Sequence, residues 1–292
     1  MWRKFCSVMK TIYINGSSLS CGGGLEPHTQ AFSIYTQRGI EKWYDSKDVS
    51  YGNQLANILG ADIVNESKQG GGLDRLIRKT YEYINSKNRL ELDSTLFLFD
   101  IPIQPARFEV YSKQYKDWFI VSVSYRDSLT EPHSITISTK DGEIDSVLSF
   151  SRDYMNSEVH LEFDELKKHN QILCDFVKEY HDYEKEAQRL LRELTFFYCY
   201  LDKRNIRYIR DTTEGFFAGS FMFDARNDVD FFEKLSIFDN SNPNVIESQT
   251  IWTLAGENGW RIKDEISVDD DHLGYEGNLK YAQYLHNLLI TN

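Results

Sequence analysis

Two short stretches near opposite ends of the chain carry residue types suited to nucleophilic and acid–base work. The first is YINGSSLSCGGGL, residues 13–25, where an apolar run stops at Asn-Gly, Ser17 and Ser18 follow, and Gly22 to Gly24 come soon after. The second is DDDHLGYEG, residues 269–277, which sets Asp269 three residues before His272. A serine hydroxyl is a weak nucleophile until a base takes its proton, and the base needs a third group to hold its tautomer. N–H donors must also sit where negative charge develops on the substrate oxygen. On a loop or a first helical turn, the Asp269–His272 spacing lets a carboxylate reach the imidazole. Each stretch alone also has a plain reading, the first as a strand ending in a flexible turn, the second as a solvated acidic loop. It is their co-occurrence that favours chemistry.

Such groups need elements that bring them together. TIYIN (11–15) reads as a short buried strand stopped by Asn-Gly. Leu55, Ile58 and Leu59 predict a helix over 50–60, closed by Gly60, and ADIVN (61–65) is the next strand. Residues 70–87 open with glycines and turn helical, with Leu73, Leu76, Ile77, Tyr81 and Ile84 on one side. STLFLFDIPI (94–103) is a near-continuous apolar run, as in a strand covered on both faces. Strand, helix, strand, helix, strand is the signature of a parallel α/β sheet. NIRYIRD (205–211) adds a strand, and NLKYAQYLHNLL (278–289) an amphipathic closing helix.

Two regions depart from that alternation. From Trp118 to Phe150 the apolar residues recur with period two around a Lys-Asp-Gly turn, which predicts an antiparallel element. We assign 113–160 to a β-rich insertion, a lid or interaction element, within one domain spanning 1–292. A stripe from Leu173 through Phe176, Tyr180, Leu190, Leu194 and Phe197 to Leu201 then steps by helical intervals over about eight turns. Its aromatic content favours a core helix over a coiled-coil seam.

Composition narrows the classes. The chain has 292 residues, 41% hydrophobic and 14% aromatic, enough for a sizeable core. The formal charge of −12 argues against nucleic-acid binding through a general basic surface. Cys6, Cys21, Cys174 and Cys199 form no CxxC pair, so neither a zinc site nor a redox motif is signalled. The opening MWRKFCSVMK lacks the apolar core of a signal peptide, and no run of apolar residues is long enough to span a bilayer. The expected location is cytoplasmic. Met9 is a candidate alternative start, with the fold beginning at Thr11.

The motifs resemble those of the SGNH/GDSL-type serine hydrolases. That family's first block, Gly-Asp-Ser-Leu after a strand, is matched by Gly16-Ser17-Ser18-Leu19, which makes Ser18 the nucleophile. Its last block, Asp-x-x-His before a glycine and the closing helix, is matched by Asp269, His272 and Gly277. Its second block, a glycine donating N–H to the oxyanion, falls on Gly70 or Gly71 after Asn65. NGSS, GGGLDRL and QPARFE (104–109) also look like a subgroup found in tailed-phage genomes. The resemblance implies a flavodoxin-like three-layer α/β/α sandwich with a central parallel sheet, and ester hydrolysis through a Ser18–His272–Asp269 triad without a cofactor. The substrate would be a small-molecule or glycan ester, for instance an O-acetylated glycan.

Two departures stand out. Ser17 replaces the first-block Asp, which is not the catalytic acid. The third block, Gly-x-Asn-Asp, is absent from FDIPIQPARFE, and Gln104 is the nearest amide able to replace the Asn. A lost oxyanion donor costs about 10²–10³ in rate. A non-catalytic virion or host-interaction protein on a degenerate hydrolase fold is therefore the alternative reading, and virion or self-association is expected through 113–160 or the helix of 165–203. Acyl transfer, which shares the acyl-enzyme, is a third reading.

Other candidates are weaker. Neither CGGG nor QGGG fits a phosphate-loop pattern. Arg107 either pairs with Glu109 or lines the substrate cleft. His28 reads as a surface histidine close to the glycine turn. The remaining histidines lack ligand spacing, and DDD (269–271) lacks the Gly and Glu of an EF-hand loop, so no metal is assigned. Trp252 and Trp260 stack on a sugar or fill the core. Nucleic-acid and membrane partners are not expected.

Overall fold

A computed structural model describes residues 2, 5, 8–101, 107–113, 116–125, 132–138, 145–149, 172, 175–177, 179–181, 183–211, 242–249 and 251–292. The chain divides into two compact units. The first comprises Met1–Gln69, Leu76–Pro102 and Thr195–Asn292, and the second Gly70–Arg75 and Ile103–Leu194.

The first unit is built on five parallel strands: β1 (Thr11–Asn15), β2 (Asp62–Asn65), β3 (Thr95–Phe99), β8 (Tyr208–Asp211) and β9 (Val245–Ser248). Their spatial order is β2-β1-β3-β8-β9, the flavodoxin-like arrangement, in which the sheet changes direction between β1 and β3. In register, Asn15 stands opposite Phe99, so the loops leaving these two strands start side by side at the carboxyl edge. Of these strands, β9 was not anticipated from the sequence. VIES is too short and too polar to show a period.

Each strand alternates between two cores. Ile12, Ile14, Leu96, Leu98 and Ile209 form one with residues of α2 (Tyr51–Leu59), α6 (Ile251–Asn258) and α8 (Tyr275–Thr291). On the other face Tyr13 and Phe97 meet Tyr83 of α3 (Leu73–Ser86), and Phe99 meets Phe197 of α5 (Tyr183–Lys203) edge to face. Helices thus cover both faces of the sheet. A fully buried aliphatic or aromatic side chain stabilises by about 1.5–3 kcal/mol, so these two layers dominate the energetics. Helix α2 ends on Gly60 at φ 63°, a left-handed cap that a Cβ would strain. Trp2 and Phe5 are buried and pack at 5.7 Å, so the fold does not begin at Thr11.

Two short helices, α1 (Gln30–Gln37) and α7 (Ile262–Ile266), are also among the described elements of this unit. Helix α4 (Arg89–Asp93) precedes β3. The loop between α7 and α8 carries Asp269 to Gly274. It is tied back at several points: Ile262 N–H donates to the carbonyl of His272 at 2.8 Å, and Gly274 N–H to that of Trp260 at 2.8 Å. Asn278 of α8, fully buried, donates through Nδ2 to the carbonyls of Leu273 and Gly274. Its Oδ1 accepts the first N–H of α2 from Tyr51 at 2.8 Å. One carboxamide therefore caps one helix and fixes the loop before another.

The second unit contains an antiparallel meander in the order β4-β5-β6-β7: β4 (Arg107–Ser112), β5 (Asp117–Tyr125), β6 (Pro132–Ser138) and β7 (Asp145–Ser149). Period-two patterning had marked this element. Its first strand opens at Arg107, upstream of residue 113, and residues 150–160 lie outside the described ones. Phe108 stacks on His181 with ring centroids 5.4 Å apart. Arg189 of α5 is gripped by Asp74 at 2.9 Å and by Glu186 and Glu193 of its own helix.

The helical stripe is not continuous. His181 is not helical and α5 starts at Tyr183, while residues 165–171 and Leu173 lie outside the described ones. Phe176 and Tyr180 are exposed, whereas Leu190, Leu194, Phe197 and Leu201 are buried. Towards its carboxyl end α5 behaves as a core helix, because Phe197 packs on Phe99 and Tyr81.

Candidate active site

Ser18 lies three residues beyond β1. The chain coils tightly around it: Cys21 N–H donates to the Ser17 carbonyl at 3.2 Å and Gly23 N–H to the Ser18 carbonyl at 2.7 Å. The coil starts at Gly16, where a Cβ would lie 2.5 Å from Ser20 Oγ and 2.7 Å from Asp100 Cβ. It ends at Leu25, which is fully buried and whose carbonyl accepts from the Trp43 indole at 2.7 Å. Ser17, Leu19 and Ser20 are buried, whereas Ser18 is partly exposed. The Ser18 main-chain N–H and Oγ donate to no described residue.

The glycine run is where the two ends of the chain meet. A Cβ on Gly23 would stand 3.0 Å from Ser18 Cβ and 3.1 Å from His272 Cδ2, so both side chains border one small space. A Cβ on Gly24 would stand 2.6 Å from Asp270 Oδ2. The absence of side chains at these positions lets the loop of 269–274 lie flush against the Ser18 coil.

The acid on the imidazole is Asp270. Its Oδ1 accepts from His272 Nδ1 at 2.7 Å and from the His272 main-chain N–H at 2.8 Å. A carboxylate accepts only, so Nδ1 carries the proton and Nε2 is left as the basic nitrogen. The expectation of Asp269 in this role is corrected: Asp269 is exposed and does not bond the ring. The physical reason is a turn in which an Asp side chain bonds the N–H two residues on, which brings the ring of that residue to the same oxygen. Asp271 is turned the other way, onto Lys263 and Arg261, and those cations hold its carboxyl below the usual range.

Asp100, at the end of β3, has no part in the sequence-based site. Its buried Oδ2 accepts from Ser17 N–H at 3.2 Å, Ser17 Oγ at 3.0 Å and Ser20 Oγ at 2.8 Å. An acid closing a strand that is apolar from Leu96 to Phe99 was the available signal.

Gly70, at φ +73°, and buried Gly71 belong to the second unit. Arg107 opens β4, where its carbonyl would be 2.8 Å from a Cβ on Gly72. Gln104 lies outside the described residues. His28 is exposed. Trp252 and Trp260 are half-buried against the core, with the Arg261 guanidinium 5.6 Å above the Trp252 ring. Among the described residues no cluster of His, Cys, Asp and Glu could hold a metal, and no helix is long and apolar enough to cross a membrane.

The chain matches no protein-family profile and no curated protein sequence. It is similar in structure to a carbohydrate esterase, at 11% identity and a TM-score of 0.41, over 97% of this chain and 67% of that one. It is also similar to the psychrotrophic esterase EstA from Pseudoalteromonas sp., at 11% identity and a TM-score of 0.42, over 97% of both chains. A third similar structure is the acetyl xylan esterase Est2A of the rumen bacterium Butyrivibrio proteoclasticus, at 11% identity and a TM-score of 0.45, over 97% of this chain and 64% of that one.

Proposed function

We propose that this chain is a serine hydrolase of esterase or deacetylase type. Ser18 attacks the acyl carbon, His272 takes its proton and returns it to the leaving oxygen, and Asp270 holds the ring and stabilises the imidazolium. The Ser18 main-chain N–H serves the oxyanion. The acyl-enzyme is then opened by water, activated by His272 in the same way. The observation that carries the reading is the shared border at Gly23: Ser18 and His272 flank it, and Asp270 bonds the far side of the imidazole at 2.7 Å. Donor roles for Gly70 or Gly71 and for Gln104, and substrate contact by Arg107, remain parts of the proposal that rest on the resemblance. So do the phage-type subgroup and an O-acetylated glycan as substrate.

A fluorophosphonate probe tests this without knowledge of the ester. The wild type should be labelled and Ser18→Ala should not, with p-nitrophenyl acetate turnover lost in parallel. Equal, background-level behaviour of both proteins would overturn the proposal. It would favour the second reading, a binding protein on a hydrolase fold, for which the specific observation is the missing third-block Asn in FDIPIQPARFE.

A further inference from the structure

We propose that Asp100 is the positioning residue of the nucleophile turn, holding that turn from the end of β3 through Ser17 and Ser20. This rests on the reading of Ser18 as nucleophile. The three hydrogen bonds to Asp100 Oδ2 come from the residue before Ser18 and from the residue two positions after it. Both anchors are buried, Ser17 at 9% and Ser20 at 0% exposure, and Asp100 itself is 7% exposed. The coil is thus pinned on both sides of the one serine that faces outward.

A buried carboxylate is costly unless donors surround it, and hydrogen bonds to a charged acceptor are about twice as strong as neutral ones. The site is built for that. Gly16 leaves room for the acid, whose Cβ and carbonyl would each collide with a side chain there. Asp100 N–H donates to the Asn15 carbonyl at 3.3 Å, which locks β3 to the start of the turn. Ser20 Oγ also bonds Tyr51 Oη at 3.0 Å, linking the network to the first turn of α2. The parallel sheet itself makes this possible, since β1 and β3 are neighbours in register and their carboxyl ends meet. Replacing the acid would let the coil relax, and a reacting group misplaced by about 1 Å costs about 10²-fold in rate.

The test compares wild type, Asp100→Asn and Ser17→Ala. Asp100→Asn keeps the shape and removes the charge, and Ser17→Ala removes one donor and leaves the acid in place. We expect Asp100→Asn to lower kcat for p-nitrophenyl acetate and the rate of fluorophosphonate labelling by about 10²-fold, with KM nearly unchanged. Ser17→Ala should show a smaller loss of the same kind. Circular dichroism and thermal melting, read alongside, identify any variant that fails to fold. The proposal is overturned if folded Asp100→Asn, or folded Ser17→Ala where the former does not fold, is labelled at the wild-type rate, or if KM rises while kcat holds. Failure of the wild type to label at all would instead remove the reading of Ser18 on which the proposal rests.

Discussion

Asp270 Oδ1 and His272 Nδ1 are 2.7 Å apart, and the same oxygen takes the main-chain N–H of His272 at 2.8 Å. One acceptor therefore sets both the backbone turn and the tautomer of the ring. Asp269, adjacent in sequence, makes neither bond.

Exchange of the two acids for amides should separate them. Asp270→Asn is expected to reduce ester turnover by about 10²–10⁴-fold, since an amide holds the wrong tautomer as readily as the right one. Asp269→Asn should stay within about twofold, as expected for an exposed residue that does not bond the ring. Steady-state kinetics on p-nitrophenyl acetate decide the matter, and the reverse ranking would restore Asp269 to the role.

Gly23→Ala places a methyl group against Ser18 and His272 together. The contacts would be 2.9 Å to the Ser18 carbonyl and 3.1 Å to His272 Cδ2, both tighter than ordinary packing. Turnover should drop by at least about tenfold, through separation of the two groups. The destabilisation should be about 1–3 kcal/mol, the usual cost of overpacking. Kinetics and urea denaturation on one preparation test both parts, and unchanged turnover would show that the two side chains do not work across this gap.

Glu265 gives the stability a pH dependence. It accepts from Tyr35 Oη at 2.6 Å and from the N–H groups of Gly277 and Glu276 at the start of α8. Burial raises its pKa, and the hydrogen bonds from Tyr35, Gly277 and Glu276 only partly offset that. With the folded pKa above the unfolded one, its contribution is fully present below the unfolded pKa and is lost as pH rises through the folded pKa. Relative to Glu265→Gln, which does not titrate, the wild type should lose stability on going from about pH 4 to about pH 7. Urea unfolding of both proteins across that range measures the difference, and a flat or rising difference would contradict the assignment.

Cysteine chemistry should distinguish Cys21 from Cys199. Burial, followed by the charge of Glu26, pushes the Cys21 thiol up to about 12, and its Sγ donates to the Ser18 carbonyl. Cys199 is exposed. Iodoacetamide at about pH 8 should modify Cys199 in the native protein and leave Cys21 intact until unfolding, because only the thiolate reacts. Peptide mass spectrometry after timed quenching reads both sites, and rapid native alkylation of Cys21 would show the turn to be open.

The amino-acid order alone determined the parallel α/β class, the helix ended by Gly60, the antiparallel element and the two segments that bear Ser18 and His272. These are local matters. Apolar period, turn residues and caps record which face of an element is covered, and covering that face is most of what stabilises it. Tertiary structure decided the rest. It chose Asp270 over Asp269, brought Asp100 beneath the turn of Ser17 and Ser20, interrupted the long stripe before Tyr183, and added VIES as the fifth strand of the sheet. A carboxylate's partner depends on a turn's dihedrals and on chain that arrives from far away in sequence, and no periodic pattern encodes either.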